Sequence, residues 1–200
     1  MDIAVIGTGF IGGVLGRALA DAGHEVAFGS RHPDDTEVVG NTSARVTSLR
    51  EACATRDVVI LALPGRAVPE LTAQLGDALV GKLVIDATNQ MGADAANSRA
   101  QLPAGIRYAR AFNTLGGENM ADPLFPDGRA DMFFSAPEAD RQRVEEIVEA
   151  VGLRPVYVGP DEEALVDCLF RLWVNLAVKQ GHGRRLALRV LGGSWEPRPA

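Results

Sequence analysis

The stretch IAVIGTGFIGGVLGRALADAG (3–23) constrains the fold of this chain more than any other part. It opens on an apolar run, as a strand buried on both faces requires. The chain then turns through Gly7, Gly9 and Gly12 in the pattern G-x-G-x-x-G. Beyond the turn the spacing becomes helical, with Ile11, Leu15, Ala18, Leu19 and Ala22 on one side and Gly23 as C-cap. Each glycine has a separate task. The first allows a sharp strand-to-helix turn, the second lets a pyrophosphate approach the backbone, and the third brings helix and strand together. The helix start offers N–H groups and a positive dipole end to phosphate. A strand before the glycines and a helix after them is the setting in which this motif binds a dinucleotide.

The alternation continues along the chain. HEVAFGS reads as a second strand and Val46 as part of a short third. SLREACAT reads as a helix capped by Ser48, with Glu51 completing a capping box. DVVILALP, KLVIDATN, IRYARAFN, DMFFSA and RPVYVG follow as strands, and RAVPELTAQLGDAL and PEADRQRVEEIVEAVG as helices. Residues 91–105 read as a long loop or weak helix, and ENMADPLFPDG as a loop along the rim of a cleft. A single long helical pattern covers 161–180, with a stripe of Leu165, Leu169, Leu172, Trp173 and Leu176. GHG interrupts it, RRLALRVL resumes it, and GGSWEPRPA reads as a loose tail held by Trp195. The expected fold is α/β: a Rossmann-like, doubly wound, mostly parallel sheet with a C-terminal helical segment. Residues 1–159 would form the nucleotide-binding domain. Residues 160–200 are too few for an independent domain and would complete a substrate pocket and make dimer contacts.

GSRHPDD (29–35) selects the nucleotide. The end of the second strand of such a unit meets the adenosine ribose. An acid there favours NAD, whereas cations and hydroxyls favour the 2′-phosphate of NADP. This chain has Ser30 and Arg31. A guanidinium can fork onto a phosphate and a hydroxyl can donate one more bond. Asp34 and Asp35 would have to face solvent. The net charge of −6 argues against broad nucleic-acid binding. No apolar run reaches the length of a membrane span and MDIAVIGTGF lacks the marks of an export signal, so the expected location is cytoplasmic. Cys53, Cys168 and the three histidines lack metal-ligand spacing, so no metal site is expected, and both thiols read as buried.

GTGFIG, GSR, the ALP after the fourth strand, ATNQ and AFNTLGGENMADP, in that order, resemble the NADP-dependent oxidoreductases that use the deazaflavin coenzyme F420. LFRLWVNLAVKQGHGRRLALRVL resembles a branch of that family, and also the reductase domain of certain membrane metalloreductases. The resemblance implies that Thr8, Gly9, Phe10 and Ile11 cradle the pyrophosphate and that Ser30 and Arg31 hold the 2′-phosphate. It places Leu63, Pro64 and Val68 along the ribose and nicotinamide side, and Asn89, Ala111 and Asn113 near the nicotinamide. Two positions depart from the pattern. Phe10 stands where a polar residue is usual, and Asp34, Asp35 and Thr36 stand where a lysine is often found.

No Tyr-x-x-x-Lys pair follows Tyr108 or Tyr157, and no catalytic acid or base is evident. Asn113, Glu118 and Asn119 are the nearest polar candidates, with loop capping as their plainer role. Arg184, Arg185 and Arg189 form a basic cluster that could dock an anionic substrate or make ion pairs. Hydride transfer between two flat rings needs alignment in a dry slot more than an acid. The expected activity is therefore hydride transfer between NADP(H) and a second small-molecule substrate. F420 is the co-substrate the resemblance implies. The alternatives are an NADPH-dependent reductase of another acceptor (carbonyl, imine, flavin or metal) in secondary metabolism, or a non-catalytic NADP-binding module. A homodimer is expected from the broad apolar stripe of the 161–180 helix.

Overall fold

A computed structural model of the chain describes residues 1–92 and 96–192. Six parallel strands form the central sheet: β1 (Asp2–Ile6), β2 (Glu25–Ser30), β3 (Arg45–Ser48), β4 (Val58–Leu61), β5 (Leu83–Asp86) and β6 (Arg107–Arg110). Their order is β3-β2-β1-β4-β5-β6. The winding reverses between β1 and β4, and such a switch point opens a crevice at the carboxyl ends of the strands. This is the Rossmann-like arrangement expected from the sequence.

Strand alternation explains why both faces are covered. Ile3 and Val5 point into one apolar core, with Leu15 and Leu19 of α1 (Phe10–Asp21). Ala4 and Ile6 point into the other, with Leu71, Leu75 and Leu79 of α3 (Val68–Leu79) and Cys53 of α2 (Leu49–Ala54). Each fully buried leucine contributes about 1.5–3 kcal/mol of transfer free energy. Ser48 caps α2 as expected, its Oγ accepting the Glu51 N–H at 3.3 Å.

The second half of the chain differs from the sequence expectation in four ways. First, β9 (Asp131–Phe134) and β10 (Arg154–Tyr157), on either side of α5 (Arg141–Ala150), pair with each other in parallel rather than extending the main sheet. A single antiparallel bridge between Arg110 and Ser135 ties them to β6. Second, the expected rim loop contains a short helix, α4 (Gly117–Ala121), and a hairpin of β7 (Leu124–Phe125) and β8 (Gly128–Arg129). Third, the long C-terminal helix is α6 (Glu163–Val174) followed by one π-helical turn, Asn175–Lys179. Fourth, RRLALRVL forms no helix, because its backbone finds partners elsewhere. The Leu186 carbonyl accepts the Trp173 indole N–H at 2.7 Å and the Asn119 amide at 3.1 Å. The Val190 N–H donates to Asp131 at 2.7 Å.

Trp173 and Ala177 belong to the same core as β1 and α1. The outward side of α6 carries Leu165, 47% exposed, and Leu172, 44% exposed. Cys168 lies between them and is exposed, not buried as its composition suggested. Cys53 is buried, and burial pushes its thiol up to about 11. Among the described residues no helix is long and apolar enough to cross a membrane, and no cluster of metal-ligating side chains occurs. Trp195 lies outside the described residues, as do positions 93–95 of the long loop.

Candidate functional site

The crevice is built first by glycine geometry. Gly7 has φ +117, a conformation that a side chain would strain, and a Cβ there would run into the Ala62 carbonyl. A Cβ on Gly12 would land on the Gly7 carbonyl, so helix and strand approach as closely as backbones allow. Gly9 is different, since a Cβ there would have nothing within 4 Å. It faces the open cleft. Gly9 is also the N-cap of α1, which carries no side-chain cap and no acidic residue in its first turn. The helix end is thus left to an anion.

A cleft of about 290 Å³ runs from this turn across the ends of β1, β2 and β4. Gly7, Thr8, Gly9, Ser30, Arg31, Leu63 and Pro64 line it. The Ser30 Oγ accepts the His32 N–H at 3.0 Å, which leaves the hydroxyl proton to donate. Arg31 is exposed and has no hydrogen bond or ion pair among the described residues. Asp34 is exposed, as expected. Asp35 is exposed too, but it borders a second recess of about 280 Å³ with Thr8, Phe10 and Arg17. Phe10 is 63% exposed at the mouth of α1. Phe10 and Ile11 lie where a Cβ of Gly117 would fall, so α4 packs directly onto the first turn of α1. Val68, expected along the ribose and nicotinamide side, is fully buried and is not among the residues that line this cleft.

The other three expected residues lie past β5 and β6. Ala111 is fully buried, so only its backbone could reach a ligand. Phe112 follows in the left-handed region with φ 60. For a bulky residue this costs about 1–2 kcal/mol, and such strain gathers at functional sites. Asn113 comes next. It is 1% exposed, yet neither its Nδ2 nor its Oδ1 has a hydrogen-bond partner among the described residues. Its carbonyl accepts the Asn89 Nδ2–H at 3.2 Å. A buried amide without partners costs about 1–3 kcal/mol for each orphaned group, so it awaits a complementary group. The carboxamide of a nicotinamide has that donor–acceptor pair. With the open space at Gly9 and the cation at Arg31, the residues present fit NADP.

Other polar candidates are engaged structurally. Burial pushes Glu118 up, but Arg184, bonded at 2.6 Å, holds it net below the usual carboxylate value. Asn119 is fully buried and donates to the carbonyls of Arg184 and Leu186. Arg185 bonds Asp122 at 2.8 Å and lies over the Phe125 ring. Two arginines of the basic cluster are thus paired within the chain. The Tyr108 phenol donates to Asp86 at 2.9 Å, and burial holds it far above its ordinary value. Tyr157 donates to the Ala136 carbonyl at 2.9 Å, and burial pushes it up to about 12. Sequence reasoning missed the fully buried Arg110, which donates to Asn89 Oδ1 at 3.1 Å. The one available signal was a charge in the middle of the apolar run RYARAFN.

Residues 2–90 match the model of the family described as NADP oxidoreductase coenzyme F420-dependent. The F420-dependent NADP reductase of Methanothermobacter marburgensis is 30% identical, over 90% of this chain and 93% of that protein. The metalloreductase STEAP3 of Rattus norvegicus is 25% identical over 78% of this chain, which spans only 33% of that protein. Among solved structures, one from Arthrobacter sp. FB24, proposed to be an F420-dependent NADP-reductase, superposes with TM-score 0.82 at 23% identity. The alignment covers 96% of this chain and all of that one. A Streptomyces aurantiacus imine reductase shares the fold, with TM-score 0.71 at 21% identity over 90% of this chain and 62% of its own.

Proposed function

The chain belongs to the family of coenzyme F420-dependent NADP oxidoreductases, and on that premise we propose that it passes a hydride between NADP(H) and F420. Bound NADPH would supply the hydride, and the deazaflavin would take it together with one proton from water. The chain's own residues bind, orient and exclude water. Gly9 and the open end of α1 hold the pyrophosphate, Ser30 and Arg31 hold the 2′-phosphate, and Leu63 and Pro64 wall the ribose side. Asn89 and Asn113 hold the carboxamide and so fix which face of the nicotinamide is presented.

The observation that carries this reading is the pairing of an open, cationic Ser30–Arg31 corner with the unpartnered buried amide of Asn113. Both tyrosines are committed to acceptors, and Lys82 donates to the Arg56 carbonyl at 2.5 Å. The commitment of both phenols favours an acceptor that needs no tyrosine as proton donor. A deazaflavin is such an acceptor. The test is anaerobic turnover of NADPH by the purified chain against F420, FMN, a cyclic imine and a simple ketone. Reduction of F420 well above the others is the expected result. Reduction of the imine or ketone alone would assign the other acceptor class.

Residues 1–159 would serve as the NADP-binding domain, with 160–200 completing the site. The exposed face of Leu165, Cys168 and Leu172 supports a homodimer through α6, since a two-fold pairing buries the same patch on both subunits.

A further inference from the structure

Beneath the loops after β5 and β6 lies a buried charged cluster with no part in binding phosphate. Arg110, at the end of β6, is fully buried and uses its whole guanidinium. Its Nε donates to Asp167 Oδ1 at 2.9 Å. Its Nη1 donates to the carbonyls of Asp86 at 3.0 Å and Thr88 at 2.5 Å. Its Nη2 lies 2.8 Å from Asp167 Oδ1 and donates to Asn89 Oδ1 at 3.1 Å. Asp167 comes from α6. Its second oxygen accepts the N–H groups of Ala96 and Asn97, each at 3.1 Å, and the Asn97 amide at 2.7 Å.

We infer that Arg110, held by Asp167, is a positioning residue that fixes the amide of Asn89 for the nicotinamide end of NADP. This rests on the NADP reading above. An asparagine amide can face either way round, but a guanidinium carries only donors. Arg110 therefore selects Oδ1 and turns Nδ2 away. One Nδ2 hydrogen goes to the Asn113 carbonyl, and the other remains for an acceptor such as a carboxamide oxygen. The C-terminal helix thus sets the orientation of a group more than seventy residues earlier in the chain. A buried ion pair contributes little net stability against an apolar substitute, so a role in orientation accounts for its presence better than stability does.

The test compares two ligands by calorimetry on the full chain: NADP+ and adenosine 2′,5′-bisphosphate, which lacks the nicotinamide. Asp167→Asn should weaken NADP+ about tenfold, the scale of one lost hydrogen bond, and leave the bisphosphate unchanged. Asn89→Asp keeps a partner for Arg110 but removes the donor. It should give the same signature without lowering the melting temperature. Combined with Asn89→Ala, Asp167→Asn should add no further loss. Equal weakening of both ligands, additive losses, or wild-type NADP+ affinity in Asn89→Asp would overturn the inference and leave the NADP reading standing. If Asp167→Asn fails to fold, Arg110→Lys, which keeps a buried cation beside Asp167, carries the same expectation and the same refutation. Failure of the wild-type chain to bind either ligand would overturn the NADP reading itself, and the inference with it.

Discussion

At the scale of single residues, two glycines of one motif make opposite predictions. A side chain at Gly9 enters open space, whereas one at Gly12 meets the Gly7 carbonyl. Gly9→Val should therefore fold with a near-native melting temperature and lose NADP+ binding in calorimetry. Gly12→Ala should fail in both, because α1 can no longer approach β1. Arg31 makes a quantitative prediction. A charge-assisted hydrogen bond is worth about 1.5–3 kcal/mol, or roughly tenfold to a hundredfold in affinity. Arg31→Ala should lose that much for NADPH and little for NADH, and equal losses would mean that Arg31 does not meet the 2′-phosphate. The glycine turn and Ser30–Arg31 were legible in the sequence because their geometry is local. The Arg110–Asp167 pair was not, since its members lie 57 positions apart and each looks like an ordinary surface charge. Only their company, in RYARAFN and LVDCLF, marks them.

At the scale of elements, periodicity located α6 but did not say which face turns inward. The helix has two apolar faces. Val166, Phe170, Trp173 and Ala177 are buried, while Leu165 and Leu172 of the expected stripe are exposed, as the part of it left for a second copy would be. If the outward face joins two copies, Leu165→Glu with Leu172→Glu should halve the mass seen by light scattering at micromolar concentration. A wild-type monomer at that concentration would remove the dimer. The irregular segment after α6 was illegible for a different reason. Its residues have helical spacing, but distant side chains of Trp173, Asn119 and Asp131 satisfy its backbone. The Glu118–Arg184 contact joins this segment to α4. Glu118 titrates below its ordinary value of 4.5, so the contact is present above that value and lost as pH falls through the lowered one. Arg184 lies 5.5 Å from the Trp173 ring centre, so tryptophan fluorescence should change in that acidic window. Arg184→Gln should abolish the step, whereas a step that persists in it would come from another group.

At the scale of the molecule, the order of six strands follows from the βαβ alternation, and that alternation is written in apolar runs separated by helical spacing. β9, α5 and β10 form where the sequence placed strand, helix and strand; what it did not record is that these two strands pair apart from the main sheet, or that Asp131 accepts the backbone of the segment after α6. The fold sets the cleft at the switch point between β1 and β4, with Ser30 and Arg31 on the β2 side and the amides of Asn89 and Asn113 past β5 and β6. On the proposed function, NADP would stretch between these groups and pass its hydride directly to the ring of the acceptor. The most direct test of that step is label transfer. The chain is incubated anaerobically with oxidised F420 and NADPH deuterated in turn at each C4 position, in ordinary water, and the reduced deazaflavin is analysed by mass spectrometry. Deuterium from one C4 face alone should appear at carbon in the product. Reduced deazaflavin carrying only solvent hydrogen, or no reduction of F420 while NADPH is consumed by another acceptor, would contradict it.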